Sequence, residues 1–351
     1  MDIFAILLII ATIWNIKTKK SAEAISSDYF SLDTCNMLKG FFAVAVIFDH
    51  LAQRTSGGLI FPRFYFMGSL SVSVFLFISG YGLIKKLLSD ESYLDTFIPK
   101  RVRTIVIPYL IVSVIYWGGS YVTGECFTVK EVLQSFVNGN PVATNSWYMI
   151  VCILLYTIFY LTAKLLKSKD INNPIYIVIP ELVFCFVWVR ICKTAGYKGH
   201  WYNANLAFSV GVVWCIYEER ILLFLNKSKN YYLTLSACTV AFFLTFAIGV
   251  LRNIQPLSII SIALFAVLVA MACMKVKLNS PALRFLGKIS MEIYLIHGLY
   301  TGVFRSNILT LDRSILYSGA VLALTIPSAM ALHWLFSKIS KSRTTRATIN
   351  A

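Results

Sequence analysis

Apolar blocks of about 15 to 22 residues recur along the chain, and this repetition constrains the fold more than any other feature. Roughly 20 apolar residues span a bilayer as a helix, and no block shows the strict alternation of a membrane barrel strand. The sequence therefore predicts an all-α, polytopic membrane helical bundle of about eleven transmembrane helices. The predicted spans are residues 3–16, 38–55, 67–84, 104–123, 147–163, 174–192, 201–217, 231–251, 257–274, 289–304 and 314–336.

Basic residues are distributed unevenly between the loops that join these spans. If the loop after the first span is cytoplasmic, more than two thirds of the 32 lysines and arginines lie on the cytoplasmic side. Such a bias is the usual consequence of membrane insertion. It predicts a multi-pass protein of the plasma (inner) membrane with its N-terminus outside and its C-terminus in the cytoplasm. It also explains the net charge of +16 without a nucleic-acid partner.

The loops are short, so the sequence predicts no soluble catalytic domain. Residues 1–30 are predicted to form an extra N-terminal membrane helix and a cytoplasmic linker, residues 31–340 the main membrane domain, and residues 341–351 a cytoplasmic tail. Eight cysteines are scattered without close pairing, which indicates neither a disulfide framework nor a metal site. Membrane lipids are the expected surroundings, and no bound cofactor is predicted.

Ionisable residues inside the apolar blocks are the candidates for chemistry, and the stretch LKGFFAVAVIFDHLAQR (38–54) is the most informative. Lys39 and His50 are eleven residues apart, so they share one helical face and are separated by about 16 Å along the axis. Arg54 continues that face, whereas Asp49 is rotated by about 100° and can bond a neighbouring helix. Because such a stripe is costly against lipid, we expect it to line a polar cavity. A hydrogen bond that only holds the bundle together is the alternative role for His50.

Other polar residues are weaker candidates. Glu292 and His297 lie in the late predicted span, where each has either a supporting or a purely structural role. Asn203 and Asn205 lie near the outer boundary, where contact with an acceptor sugar and helix capping are both open. His200 and His333 are predicted to lie at interfaces without a role. Lys85 and Lys86 are interpreted as topological charges.

Five segments, in this order, resemble the integral-membrane acyltransferase 3 family. LKGFFAVAVIFDH is similar to the family's arginine, ten residues and histidine, with Lys39 in the place of the arginine. GSLSVSVFLFISGYGL (68–83) and FIPKRVRTIVIPY (97–109) resemble the family's next two motifs. WYNANLAFSVG (201–211) and LGKISMEIYLIH (286–297) resemble later blocks. The resemblance covers most of the chain after about residue 30.

The resemblance implies a membrane O-acyltransferase of the bacterial O-acetyltransferase type, with a ten-helix core preceded here by one extra helix. It implies that an acyl group, acetyl from acetyl-CoA in the first instance, moves from cytoplasmic acyl-CoA to a hydroxyl of a cell-envelope polysaccharide or its lipid-linked precursor. His50 is then the catalytic base, and Asp49, Glu292 and His297 are supporting candidates. The acyl-CoA would be bound on the cytoplasmic side by four cations: Lys39, Lys100, Arg101 and Arg103. Lysine at position 39 keeps the charge of the family's arginine but loses its bidentate binding.

Two other classes of protein share some of these features. A transporter or flippase of a sugar or small metabolite also has many spans, kinked helices and buried ionisable groups. No internal repeat relates the two halves of this chain, which weakens that interpretation. A glycan polymerase would be expected to have a long external loop. Dependence on acyl-CoA distinguishes the acyltransferase from both.

Overall fold

The computed structural model describes residues 1–19, 25 and 28–349, with side chains as far as Ile339. Lys20, in the predicted linker, and the last two residues of the predicted tail lie outside the described residues. The helices in chain order are α1 Asp2–Ile13, α2 Leu32–Ala52, α3 Met67–Ser89, α4 Phe97–Arg101, α5 Ile107–Val122, α6 Val129–Val137, α7 Trp147–Ser168, α8 Val178–Thr194, α9 Leu206–Ile216, α10 Glu218–Leu225, α11 Ser228–Leu251, α12 Gln255–Lys275, α13 Pro281–Lys288, α14 Ser290–Val303 and α15 Ser314–Ile349.

Short elements connect these helices. A π-helical turn, Val102–Val106, joins α4 to α5. Turns of 3₁₀ helix cover Phe61–Phe66, Pro174–Ile177 and Gly199–Trp201. Two strands of two residues each, β1 Lys17–Thr18 and β2 Val276–Lys277, pair in the antiparallel sense. The helical class of the fold is therefore as predicted.

Eight helical segments of the described chain are long and apolar enough to cross a membrane, which confirms the polytopic class. They are Leu32–Ala52, Phe61–Ser89, Phe97–Val122, Trp147–Ser168, Pro174–Thr194, Ser228–Leu251, Gln255–Lys275 and Ser314–Ile339. Each agrees with one of the eleven predicted spans.

The other three predicted spans correspond to shorter helices. The helices α1, α9 and α14 have 12, 11 and 14 residues, and about 20 are needed to cross the hydrocarbon region in a straight line. The α-helical geometry stops at Tyr217 between α9 and α10, and at Ile289 between α13 and α14. A count of apolar residues does not detect such breaks. The total of eleven spans thus exceeds the eight that length and composition identify.

The helix α2 lies at the centre of the bundle, and most of its side chains are buried. Ser31 caps its N-terminus by accepting a hydrogen bond from the Thr34 backbone N–H at 3.3 Å. The backbone of α2 packs directly against α13, because a Cβ atom at Gly40 would overlap the Leu283 carbonyl and one at Gly287 would overlap the Asn36 carbonyl. This close approach fixes α2 relative to the helix pair α13 and α14.

The first helix is fastened to the bundle at both ends. The Asp2 carboxylate accepts hydrogen bonds from the backbone N–H groups of Leu59, Ile60 and Phe61 at 2.7, 3.0 and 2.9 Å. These hydrogen bonds, that of Leu59 above all, lower the pKa of Asp2. At the other end, β1 pairs with β2 directly after α12. We call the two ends of the bundle the Lys39 end, where α2 begins, and the His50 end, where α2 finishes.

Candidate active site

Lys39 and His50 each line a cavity, and the two cavities are different. A cavity of about 530 Å³ lies at the His50 end, and one of about 230 Å³ lies around Lys39. The two side chains thus face interior space rather than lipid, as the helical spacing predicts. Tyr294 of α14 is common to the walls of both cavities.

The His50 cavity is built from several parts of the chain. The helix α2 supplies one wall. The first turns of α3 and α12 and the last turn of α11 supply others, and the segments before α7 and α9 cover the cavity. Its polar lining includes Asp49, His50, Arg54, Asn145, Lys198, His200, Asn203 and Ser261. A space with so many donors and acceptors suits a polar, hydroxyl-rich ligand.

The His50 ring is stacked on the His297 ring, with centroids 5.2 Å apart and planes inclined by 29°. Within the described residues no hydrogen bond occupies the ring nitrogens of His50. Its side chain is half-buried at the cavity wall. An imidazole in this position has a nitrogen lone pair to offer to a ligand in the cavity.

His297 is fully buried, and both of its ring nitrogens have partners. Nδ1 lies 3.0 Å from the Ile293 carbonyl, and Nε2 lies 3.1 Å from Nδ2 of Asn145. A carbonyl oxygen can only accept a hydrogen bond, so the ring proton is assigned to Nδ1. Nε2 then accepts a hydrogen bond from the Asn145 side-chain amide. His297 is then a neutral ring whose face packs on the His50 ring.

Asp49 is buried beside His50 but bonds elsewhere. Its Oδ2 accepts a hydrogen bond from Nε2 of Gln53 at 2.8 Å, and the carboxylate also accepts from the backbone N–H of Gly68. Gly68 is the second residue of α3, so Asp49 places negative charge at the N-terminus of that helix. The predicted bond to a neighbouring helix is present. Asp49 orients α3 and lines the cavity without forming a catalytic dyad with His50.

Glu292 is placed away from both cavities. Its Oε1 lies 3.0 Å from Nδ1 of His333 on α15, and its side chain is buried. The pair connects α14 to α15, so the structure gives a partner to His333, for which the sequence predicts no role. This arrangement favours the structural alternative for Glu292.

The Lys39 cavity contains one of the three predicted cations that follow Pro99. Arg101 lines it together with Lys39, whereas Lys100 is exposed and Arg103 is half-exposed outside it. The Arg101 guanidinium lies 5.1 Å from the Phe97 ring centroid and 4.9 Å from that of Tyr156. Its Nη2 donates to the Tyr93 hydroxyl at 2.8 Å, while its buried Nε has no hydrogen-bond partner among the described residues.

The local backbone explains why the helix is irregular just after Arg101. Pro108 has no N–H to donate to the carbonyl four residues earlier, so a regular α-helix is interrupted there. The turn Val102–Val106 takes the wider π geometry immediately before α5. Such turns are frequent at functional sites.

Sequence reasoning missed several residues of the His50 cavity. His200 lines it and lies 5.1 Å from the Trp147 ring, between centroids. Burial and the nearby Lys198 charge lower the pKa of His200 to about 4, so this imidazole is neutral near pH 7. Asn145 and Asn203 also line the cavity. Of these three residues, only Asn203 is a candidate from the sequence, where its position near the outer boundary suggests contact with an acceptor sugar.

Asn205, the second such candidate, is placed differently from Asn203. Its side chain is 1% exposed, and its Nδ2 donates to the Trp201 carbonyl at 3.2 Å. It therefore holds the turn before α9. Among the described residues no group of three or more His, Cys, Asp or Glu side chains is arranged to hold a metal ion.

The bundle and its two cavities define a polytopic membrane protein with a polar site between its helices. A family model described as an acyltransferase domain, that of acyltransferase 3, matches residues 33–334. The match covers most of the chain, so the protein belongs to the acyltransferase 3 family. Membership implies a transferase that uses an acyl donor and an acceptor. Neither a curated protein nor a solved structure matches the chain.

Proposed function

We propose that this protein transfers an acetyl group from cytoplasmic acetyl-CoA to a hydroxyl of a cell-envelope polysaccharide or its lipid-linked precursor. One observation carries the proposal: the two cavities lie at opposite ends of α2 and share one wall residue. Lys39 and Arg101 line the first, and the second adds to two cations, Arg54 and Lys198, a histidine without a hydrogen bond among the described residues. A donor confined to one compartment and an acceptor confined to the other require such a site. The orientation in the plasma membrane, with the Lys39 end in the cytoplasm, is part of the proposal.

The Lys39 cavity suits the donor. Acyl-CoA is a polyanion, and Lys39 and Arg101 place two positive charges on the cavity wall. The Arg101 guanidinium is held by two aromatic rings and one hydroxyl, which leaves its Nε for a phosphate oxygen. Lys100 and Arg103 lie outside the cavity and serve at most as attracting charges.

The His50 cavity suits the acceptor and the chemical step. His50 takes the proton from the acceptor hydroxyl while that oxygen bonds to the thioester carbonyl carbon. The carbon–sulfur bond then breaks, and the proton passes from His50 to the departing thiolate of coenzyme A. A neutral His297 beside His50 avoids a second positive charge at the moment when His50 is protonated. His200 and Asn203 are placed to bind the sugar.

The test compares His50→Ala with a matched histidine that lies outside both cavities. His333→Ala is that control, because His333 is on α15 and contacts Glu292. The masses of envelope glycans are measured by mass spectrometry in cells that carry the two variants at equal levels in the membrane. We expect the mass increment of one acetyl group per sugar to be lost in His50→Ala and kept in His333→Ala. Retained acetylation in His50→Ala would remove this residue as the base.

A second experiment, which measures release of coenzyme A, separates acyl transfer from transport. A transporter or flippase moves its substrate without consuming a thioester. Membranes that release free coenzyme A only when both acetyl-CoA and an acceptor glycan are present would support transfer. Glycan translocation without release of coenzyme A would support the rival function.

A further inference from the structure

Three aromatic rings form a cluster where the Lys39 cavity adjoins the His50 cavity, and nothing in the proposed chemistry uses them. They come from three different helices: Phe75 from α3, Tyr148 from α7 and Tyr294 from α14. The Tyr294 ring lies 5.0 Å from the Tyr148 ring and 6.4 Å from the Phe75 ring, and those two lie 6.3 Å apart, all between centroids. We call this cluster the aromatic partition.

The position of Tyr294 is the main observation. It lines both cavities, whereas Phe75 and Tyr148 line the Lys39 cavity only. All three side chains are buried, with exposed fractions of 7%, 9% and 4% in chain order. A group that moves from the Lys39 cavity to His50 along this shared wall passes Tyr294.

We propose that Tyr294, packed on Tyr148 and Phe75, is the partition between the donor and acceptor cavities and limits the size of the acyl group that can pass to His50. The inference rests on the proposed function, because it assigns the acyl specificity of that reaction to a named residue. Aromatic rings in mutual contact form a wall of defined shape, since they have few rotamers and pack on one another. Each additional methylene of the acyl group would have to displace part of that wall.

The chain offers an intrinsic probe of the partition. Cys152 lines the Lys39 cavity and is 2% exposed, and Cys126 is exposed in the loop between α5 and α6 at the His50 end. A small anionic methanethiosulfonate reagent that cannot cross the bilayer is applied on the side where Cys126 reacts. Modification of both cysteines is then quantified by peptide mass spectrometry. Cys126 reports that the reagent is present, and Cys152 reports whether it has passed the partition.

The variants separate the ring from its hydroxyl and from general damage. Tyr294→Ala removes the side chain beyond Cβ, Tyr294→Leu replaces the ring with a smaller branched chain, and Tyr294→Phe keeps the ring and removes the hydroxyl. Tyr300→Ala is the matched control, because Tyr300 is on the same helix but bonds Ser328 of α15 and lines neither cavity. We expect Cys152 to react in the Ala and Leu variants. We expect it to stay unmodified in the native protein, in Tyr294→Phe and in Tyr300→Ala.

The second measurement is the ratio of hexanoyl to acetyl transfer from the corresponding acyl-CoA within each variant. We expect Tyr294→Ala to raise this ratio about tenfold or more, and Tyr294→Phe to leave it unchanged. Reaction of Cys152 in the native protein at the rate of Cys126 would overturn the partition, as would protection in both the Ala and Leu variants. If Cys152 reacts in Tyr294→Ala while the ratio of hexanoyl to acetyl transfer stays unchanged, Tyr294 does not limit the size of the acyl group. If the native protein transfers no acyl group at all, the proposed function fails, while Cys152 still decides whether Tyr294 closes the passage.

Discussion

The rings of His50 on α2 and His297 on α14 are stacked with centroids 5.2 Å apart, although they come from opposite halves of the chain. His297 is fixed by Asn145 and by the Ile293 carbonyl, so its ring cannot turn without losing a hydrogen bond. The half-buried ring of His50 faces the cavity. In this arrangement His297 is a positioning residue for the proposed base.

His297→Ala should lower kcat about 100-fold with little effect on the KM for acetyl-CoA, because a misplaced base loses about that much. His297→Phe keeps a ring for stacking and should restore most of kcat. It leaves the Asn145 amide without its partner, at a cost of about 1–3 kcal/mol in the free energy of unfolding. Adding Asn145→Leu to His297→Phe should recover part of that stability. Equal kcat in the Ala and Phe variants would argue against positioning by stacking.

Lys39→Met and Arg101→Met should each raise the KM for acetyl-CoA about 10- to 100-fold, because each removes one charge-assisted contact to phosphate. Arg101→Lys should fall between native and Met, since lysine keeps the charge without the planar fork. Lys100→Met is the control, because Lys100 is exposed and lies outside the Lys39 cavity. Initial rates against donor concentration provide the measurement. A change in Lys100→Met as large as that in Lys39→Met would contradict the division between the cations.

Orientation in the membrane can be tested with the native cysteine at position 126. Cys126 is exposed at the His50 end, so an impermeant maleimide should label it in intact cells. Cys126→Ser should abolish that labelling and serves as the control for other cysteines. Labelling that requires permeabilised cells would mean that the Lys39 end faces outward, contrary to the distribution of basic residues.

Gly40→Ala and Gly287→Ala should each destabilise the protein by about 2–3 kcal/mol, since the added methyl meets backbone atoms that cannot turn aside. Gly82→Ala provides the comparison. A Cβ atom at Gly82 would meet no neighbouring side chain or other helix of the described structure within 4 Å. Gly82→Ala should leave the free energy of unfolding unchanged or raise it by about 0.5–1 kcal/mol, because alanine favours the helix more than glycine does. Thermal unfolding in detergent gives the ranking. Similar unfolding temperatures for Gly40→Ala and Gly82→Ala would show that α2 and α13 can separate without cost.

Local patterns predicted the parts of the site that lie on one helix. The shared face of Lys39 and His50 follows from the helical period alone, and both residues line cavities in the structure. The pattern could not distinguish Arg101 from Lys100 and Arg103, because the π turn after Arg101 interrupts the regular helix. The same limitation explains why α9 and α14 were assigned as full spans: apolar composition continues through a break in geometry.

Contacts between distant segments could not be predicted in the same way. His200 and Asn145 precede apolar spans and carry no local sign of a cavity, and they line the His50 cavity only because the segments before α7 and α9 fold over the space beside α2 and α14. The three rings of the aromatic partition look like ordinary core residues in the sequence. Their meaning comes from Tyr294 lying between two spaces, which depends on the complete bundle.

The aromatic partition also bears on bioenergetics. If the two cavities joined inside the bundle and held water, protons could cross the membrane through them. Each charge that moves through a potential of 100 mV releases about 2.3 kcal/mol. A closed cluster of phenyl and phenol rings would insulate the bilayer between catalytic cycles. During a cycle, the acyl chain itself has to fill the gap it opens. The aromatic partition would thus allow the proposed transfer between two compartments without an ion leak.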